Sequence, residues 1–388
     1  MRVAMVSTYP PIHCGVGEYT RFLLTAMAGV HPAGEYFVLA EEGVGGEYFD
    51  YDARARVVPA FRRMEPRSYD GILEALESVG GVDVLHVQHE YGIYSGNPRL
   101  LKVLGEARES GLARAVVVTL HSVHHPHSPD EGKWGALAFQ RSLPDYVDSL
   151  VVHSAVQEFE LQSEGLPFPV IHRIPHGTFV NPHVSEPRIR LAERLGVDPG
   201  RLEGPVIALA GFLHKRKGLD TLVEALDYMR RRLTLIIGGE IKEDDVRDYI
   251  REAGAGRVVL LDRYLSGDEI LSIAALADAI VMPYKDIRGL YAVSGILHLS
   301  MGSLKPIVGT RMPKLVELYT LAPQLTVPPD DPRALAERLE WTLENYDVAV
   351  AYASQLYSYA VRTSWLRIAR RHLSLYRELL RRGGPRGS

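Results

Sequence analysis

The chain has 388 residues, 46% of them hydrophobic and 24% charged, with a formal net charge of −4. That length exceeds one ordinary core and points to two domains. The slight negative charge argues against a general nucleic-acid binder, which needs a basic field, and no apolar run reaches the roughly 18 to 20 residues of a membrane span. Cys14 is the single cysteine, which excludes an internal disulfide and a thiolate metal cage. Arginine is abundant while asparagine occurs only at Asn97, Asn181 and Asn345, a depletion of thermolabile residues that hints at heat adaptation.

The chain opens on a strand-like run instead of a basic region followed by an apolar signal core, so a cytoplasmic protein is expected. Apolar runs at 2–7, 36–39, 83–87, 115–119, 149–152 and 170–174 alternate with helical periodicity at 16–28, 69–78, 99–110 and 154–164. Strands that are apolar throughout and alternate with helices make a parallel sheet covered on both faces. The series breaks at 178–204, where Pro182, Pro187, Pro199 and Gly200 surround one short amphipathic piece, a composition suited to an interdomain connection. A second series follows, with strands near 205–210, 233–237, 257–261, 279–282 and 306–308. The expected fold class is therefore α/β, two doubly wound Rossmann-like domains facing across a cleft, with domains at 1–180 and 205–355 and a connection over 181–204. From 331 the pattern is helical. Over 364–382, Trp365, Ile368, Leu373, Tyr376 and Leu380 line one side and Arg367, Arg370, Arg371, Arg377 and Arg381 the other. This last helix, 360–384, is expected to pack back on the N-terminal domain; its basic face also allows a weak peripheral membrane contact.

A strand running into an anion-compatible loop and then a helix occurs twice, in RVAMVSTYPPIHCGVGEY (2–19) and PVIALAGFLHKRKGLDTLVEAL (205–226). In the second, His214, Lys215, Arg216, Lys217 and Gly218 lie between a buried strand and a helix start, where the strand's carboxyl end and the helix dipole favour an anion. A solvated basic turn is the other reading. Gly15 and Gly17 follow the first strand and serve either turn geometry or a ligand. His121 ends the run AVVVTL, the place where α/β proteins bind ligands. Ser122, His124, His125 and His127 follow; they raise the alternative of a metal, against which stand the lack of a carboxylate at ligand spacing and the irregularity imposed by Pro126 and Pro129. The stretch from His86 to Gly92 likewise leaves a strand into a polar loop, lining a sugar pocket or packing internally. Residues 293–302 open a helix almost without charge, read as buried, whose first residues Ser294 and Gly295 are expected to face a diphosphate opposite Lys217.

Taken together, STYPPIHCGVGEY, VLHVQHEYGIY, TLHS, VIHRIPHG at 170–177, GFLHKRKGLDTLVEAL, ADAIVMPY at 277–284 and VSGILHLSMGSLKPIVGT at 293–310 resemble the retaining glycosyltransferases of the GT-B fold, family 4, over nearly the whole chain. The resemblance implies metal-independent transfer of a hexose from a nucleotide-diphosphate sugar, such as a UDP- or GDP-hexose, to a hydroxyl of a sugar, glycan or lipid-linked acceptor, with no bound cofactor and no nucleic-acid partner. It implies that Lys217 holds the donor diphosphate, that His121 contacts the transferred sugar, and that Gly15 and Gly17 belong to a loop closing on phosphate or acceptor. Phe212 stands where the family places a phosphate-binding arginine, a role that would pass to Lys215 or Arg216. Gly218, Tyr264, Asp286, Ser294 and Gly295 complete the expected donor contacts. The family's paired glutamates, Glu-x7-Glu, read Leu290 and His298 here. His298 is expected to meet the nucleotide ribose through a neutral ring nitrogen, or else to be a core histidine bonded to a backbone carbonyl. Asp286 would stand in for the first glutamate. That departure keeps two other readings open, a non-catalytic sugar-nucleotide or glycan-binding partner and a GT-B-fold epimerase or phosphorylase.

Overall fold

A computed structural model describes residues 1–129, 132–253 and 257–382. The chain divides into two compact units. Unit 1 comprises Met1–Gly177, Ile287–Val293 and the chain from Trp365; unit 2 comprises Thr178–Asp286 and Ser294–Ser364.

In unit 1 the strands are β1 (Arg2–Ser7), β2 (Glu35–Glu41), β3 (Tyr48–Asp50), β4 (Ala55–Phe61), β5 (Val82–His89), β6 (Ala113–Leu120), β7 (Ser122–His124), β8 (Ser149–Val152) and β9 (Ile171–Arg173). Eight of them form one sheet in the order β3-β4-β2-β1-β5-β6-β8-β9, parallel except at the edge pair β3–β4. The β-branched runs of β1, β5 and β6 are buried almost throughout, as a sheet covered on both faces requires. Strand order reverses between β1 and β5, and the crevice outside the carboxyl ends at such a switch point is where α/β sheets bind ligands.

The helix Trp365–Arg382 packs against the helix Gly15–Val30 of the same unit. It buries Trp365, Ile368, Leu373 and Tyr376 and turns Arg367, Arg370, Arg371, Arg377 and Arg381 outward, as its periodicity predicts. Residues 360–362 close the preceding helix, Tyr346–Arg362, while 383–384 lie outside the described residues. Gly177 sits directly under the Trp365 indole, where a Cβ would overlap the ring.

Unit 2 holds β10 (Val206–Ala210), β11 (Thr234–Gly238), β12 (Val258–Leu261) and β13 (Ala279–Met282); after β14 (Leu290–Ala292), which lies in unit 1, come β15 (Ile307–Thr310) and β16 (Thr326–Val327). Its sheet is parallel, in the order β12-β11-β10-β13-β15-β16, with the switch point between β10 and β13. Val206, Ala208 and Ala210 enter one core with Leu191 and Ile273, whereas Ile207 and Leu209 enter the other with Leu222 and Leu339. Alternation sends residues to opposite faces, and both faces are apolar, so β10 reads as hydrophobic at every position.

Two features depart from the expected organisation. The stretch 181–204 is no free connection: its helix Arg188–Leu195 buries Leu191, Ala192 and Leu195 in the unit 2 core against the helix Gly267–Leu276. Pro187 precedes that helix and Gly196, with φ of 71°, ends it, so proline and glycine mark helix boundaries there. Second, the segment Ile287–Val293 leaves the unit 2 sequence to join unit 1, where β14 pairs antiparallel with β7, Leu290 opposite His124 and Ala292 opposite Ser122. His125 N donates to Gly289 O at 2.8 Å, and Gly289 takes φ of +72° in a space where a Cβ would crowd Ser128 N at 2.6 Å.

Candidate active site

In unit 2 the loops after β10 and β13 flank the switch point. The first begins at Gly211, with φ of +99°, where a Cβ would meet Ile296 Cγ1 at 2.7 Å and Lys217 Nζ at 3.3 Å. Lys215–Lys217 forms one 3₁₀ turn ended by Gly218, whose φ of 68° suits glycine and whose missing Cβ lets the Pro283 carbonyl approach. The turn thereby points Lys217 inward. Lys217 is 7% exposed; its Nζ donates to Tyr284 Oη at 2.6 Å and Ala210 O at 3.3 Å, and lies 4.3 Å from the centroid of the Tyr284 ring. Burial without a carboxylate partner among the described residues pulls its pKa down to about 7. Tyr284, itself buried, is held with its hydroxyl 3.5 Å from Ser294 Oγ. Lys314, half-buried in the turn after β15, adds a further cation: His214 is depressed to about 4 by burial and then by Lys217, Lys314 and Arg216. A buried lysine without a carboxylate partner among further cations is an arrangement suited to an anion.

The other donor-side candidates are placed as follows. The side chains of Lys215 and Arg216 lie on the exposed face of the turn, their backbones bonded to Glu243 Oε2 and Lys285 N. Ser294 is buried and caps the short helix Gly295–Ser300 by accepting from Leu297 N at 3.2 Å. Tyr264 packs its ring 5.9 Å from Phe212, over which Lys242 Nζ lies at 4.6 Å. Asp286 is exposed, the last residue of unit 2 before the 287–293 excursion. Leu290, at the first expected glutamate position, lies on β14 in unit 1.

His298 departs from its expected ribose contact. It has no exposed surface; its Nδ1 faces Ser294 O at 2.8 Å, and its Nε2 lies 3.6 Å from Glu317 Oε1 of the helix Val316–Leu321. With no exposed surface and Nδ1 bonded to the carbonyl one helical turn back, the ring sits as a core histidine. Gly15 and Gly17 also differ from expectation. They occupy the first turn of the helix Gly15–Val30 and not a loop. Gly17 is buried where a Cβ would press Thr8 O at 3.2 Å, so it serves the close packing of the helix on the end of β1; Gly15 is exposed.

In unit 1 the strand ends deliver imidazoles. His121 follows β6, His153 follows β8, and His176 lies three residues beyond β9. Gln157, fully buried, locks this edge: its Oε1 accepts from His153 N at 3.0 Å, while its Nε2 donates to the carbonyls of Leu120, His121 and Tyr291. The Tyr19 ring packs 4.8 Å from His121, 5.2 Å from His153, 5.0 Å from His176 and 5.1 Å from Trp365. His121 is part-buried, and the protein crowded around it holds its pKa well below the usual imidazole range, helped by His153 and His89. The ring is neutral at pH 7. Tyr19 is 2% exposed, and its hydroxyl meets no hydrogen-bond partner among the described residues. His124 is buried in the β7–β14 pair, and among the described residues no group of three or more His, Cys, Asp or Glu side chains is arranged for a metal ion.

Sequence reasoning missed Tyr19, His153, His176, Trp365, Tyr284 and Lys314. His153 and His176 carried the signal that marked His121, a histidine just past an apolar run, in VVHS and IPHG. Lys314 carried none, because only the pairing of β15 beside β13 brings its turn to the switch point.

Residues 204–345 match the family model for glycosyl transferases group 1. The chain is 25% identical over 330 residues to the GDP-mannose-dependent alpha-(1-6)-phosphatidylinositol monomannoside mannosyltransferase of Mycolicibacterium smegmatis, covering 79% of each protein. It is 28% identical over 191 residues to the D-inositol 3-phosphate glycosyltransferase of Corynebacterium urealyticum, 46% of this chain and 44% of that one. In fold it resembles HepE of Anabaena in complex with UDP-glucose (TM-score 0.72, 15% identity, 97% of this chain and all of that chain) and the sucrose-phosphate synthase of Thermosynechococcus elongatus (TM-score 0.75, 17% identity, 98% of this chain and all of that chain). These likenesses, with the family model confined to residues 204–345, support a group 1, family 4-type glycosyltransferase of the GT-B fold. The chain is accordingly an enzyme of glycosyl transfer. No helix among the described residues is long and apolar enough to cross a membrane.

Proposed function

We propose that the protein moves a hexose from a nucleotide-diphosphate sugar to an acceptor hydroxyl, with retention of anomeric configuration and without a metal ion. The observation that carries this reading is Lys217, a buried ammonium at the unit 2 switch point whose polar partners are the Tyr284 phenol and a backbone carbonyl. In the reaction the bond from the anomeric carbon to the diphosphate oxygen breaks, a bond to the acceptor oxygen forms, and the acceptor proton passes to the departing phosphate. Charge grows on that diphosphate as the sugar becomes oxocarbenium-like, so fixed cations aimed at it lower the barrier. Lys217 and Lys314 supply such charge from the protein's own side chains. His121, neutral and hydrogen-bonding, suits sugar hydroxyls.

A melting-temperature panel of UDP-, GDP- and ADP-sugars tests the donor class, headed by GDP-mannose and UDP-glucose, the ligands named for similar proteins. A donor at a hundred times its Kd adds about 2.7 kcal/mol of stability. No shift with any of them refutes the donor assignment. Inverted product configuration by NMR refutes retention, and activity lost to a chelator and restored by a divalent ion refutes metal independence.

A further inference from the structure

His121 can offer a substrate either a donor or an acceptor, and the protein around it decides which. Its Nε2 lies 3.1 Å from Gln88 Oε1. Gln88 is fully buried on β5, and its amide nitrogen is directed at Met5 Sδ, 3.5 Å away. A thioether sulfur only accepts, so the amide NH₂ belongs on the Met5 side and the carbonyl oxygen on the His121 side. A carbonyl oxygen also only accepts; the proton between the two residues is therefore carried by His121 Nε2. Nδ1 then holds a lone pair. It makes no hydrogen bond with the described residues, and His121 is only part-buried. The backbone of His121 is fixed as well, its N–H donating to His89 O at 3.0 Å and its carbonyl accepting from Gln157.

We infer that Gln88 is a positioning residue that holds His121 as the neutral Nε2–H tautomer, so that Nδ1 accepts a hydrogen bond from a hydroxyl of the transferred sugar. This rests on the reading of His121 as a sugar contact. The role of the ring is thus that of an acceptor, and an imidazolium in its place would present an N–H to a hydroxyl that needs to donate. The titratable groups around the ring agree with a neutral state: His89 and His86 from β5, His153 from the end of β8 and Tyr19 from the helix Gly15–Val30, with no carboxylate among the groups that act on it.

The full chain labelled with ¹⁵N-histidine tests this by long-range ¹H–¹⁵N correlation together with rates at pH 6 to 8. The wild-type spectrum should show His121 protonated at Nε2 and bare at Nδ1 across that range. Gln88→Leu removes the acceptor, so both tautomers should appear and kcat/KM should fall about tenfold, the scale of one misoriented hydrogen bond. Gln88→Glu keeps an acceptor and should restore most of the rate at pH 8. It should lose that rate as the pH falls, because a carboxylate favours the imidazolium. An Nδ1–H tautomer or an imidazolium in the wild type overturns the inference, as does a folded Gln88→Leu protein with unchanged kcat/KM. If Gln88→Leu does not fold, the wild-type spectrum and the pH profile of Gln88→Glu decide. A wild type that transfers no sugar refutes the proposed function instead, and the spectrum still decides the tautomer.

Discussion

At the carboxyl end of the unit 1 sheet three imidazoles and one phenol gather, His121, His153, His176 and Tyr19, around the Trp365 indole. At the same end of the unit 2 sheet lies a buried lysine, Lys217, with Lys314 and Arg216 acting on the same neighbour, His214. Both sheets wind outward from a central strand and back, so topology does not account for the contrast. The doubly wound fold provides a crevice, and the side chains at the strand ends decide whether it receives hydroxyls or an anion. Each site also carries an incomplete valence in the same sense as its chemistry. Unit 1 leaves a phenol without a partner; unit 2 leaves a cation without a counter-ion.

The contrast is broken most directly at Lys217. Lys217→Met should lower kcat about a hundredfold, equivalent to about 3 kcal/mol of transition-state stabilisation, while the melting temperature holds or rises because a desolvated ammonium leaves the interior. A parental rate would mean that this cation does not meet the leaving group.

His298 tests where the donor-side chemistry stops. His298→Glu would put a second carboxylate beside Glu317, at a position with no exposed surface, and should cost about 3 kcal/mol of stability as an uncompensated buried charge. Chemical denaturation with the donor KM measured alongside decides it. Tighter donor binding at undiminished stability would return this residue to the ribose.

The two ends should also answer differently to pH. Lys217 must be protonated to hold an anion, so donor affinity should fall by up to tenfold per pH unit above about 7, measured by calorimetric titration from pH 6 to 9. Stability of the unliganded protein should move the other way. Below pH 7 the lysine is protonated in both folded and unfolded chains. Between about 7 and the ordinary 10.5 the unfolded chain holds a proton that the folded chain has released, so this group's contribution to stability rises with pH. A flat donor affinity over that range would show that Lys217 keeps its proton.

The smallest effect is expected at Tyr19. Because its hydroxyl has no partner among the described residues, Tyr19→Phe should leave unfolding free energy within about 0.5 kcal/mol of the parent. The same change should lower kcat/KM several-fold if that hydroxyl meets substrate, the scale of one hydrogen bond. Reduced stability with unchanged kinetics would make Tyr19 a packing residue and weaken the case for a hydroxyl-binding pocket.

Much of the molecule was legible in one dimension. Strand and helix periods and the outward arginines of the last helix follow from local patterns, since side-chain alternation acts over a few residues. Proline and glycine misled at 181–204 for the same reason: they mark any break in structure, and the apolar face of Arg188–Leu195 had to find the Gly267–Leu276 helix before the segment could count as core. His298 reads identically in sequence whether it faces a ribose or the carbonyl of Ser294; only burial separates the two.

What the sequence determined by itself is the α/β series, its doubling, and the candidate residues at the strand ends, because those depend on short-range order along the chain. Tertiary structure alone decided that Lys314 and Lys217 act on the same histidine, that Trp365 returns to pack against Tyr19, that 287–293 leaves its own unit, and that Gln88 faces His121 from the neighbouring strand. These pairings arise from strand order and helix packing between residues far apart in the chain. A hydrogen bond or a shared charge acts over a few ångströms of space, and sequence distance does not enter it.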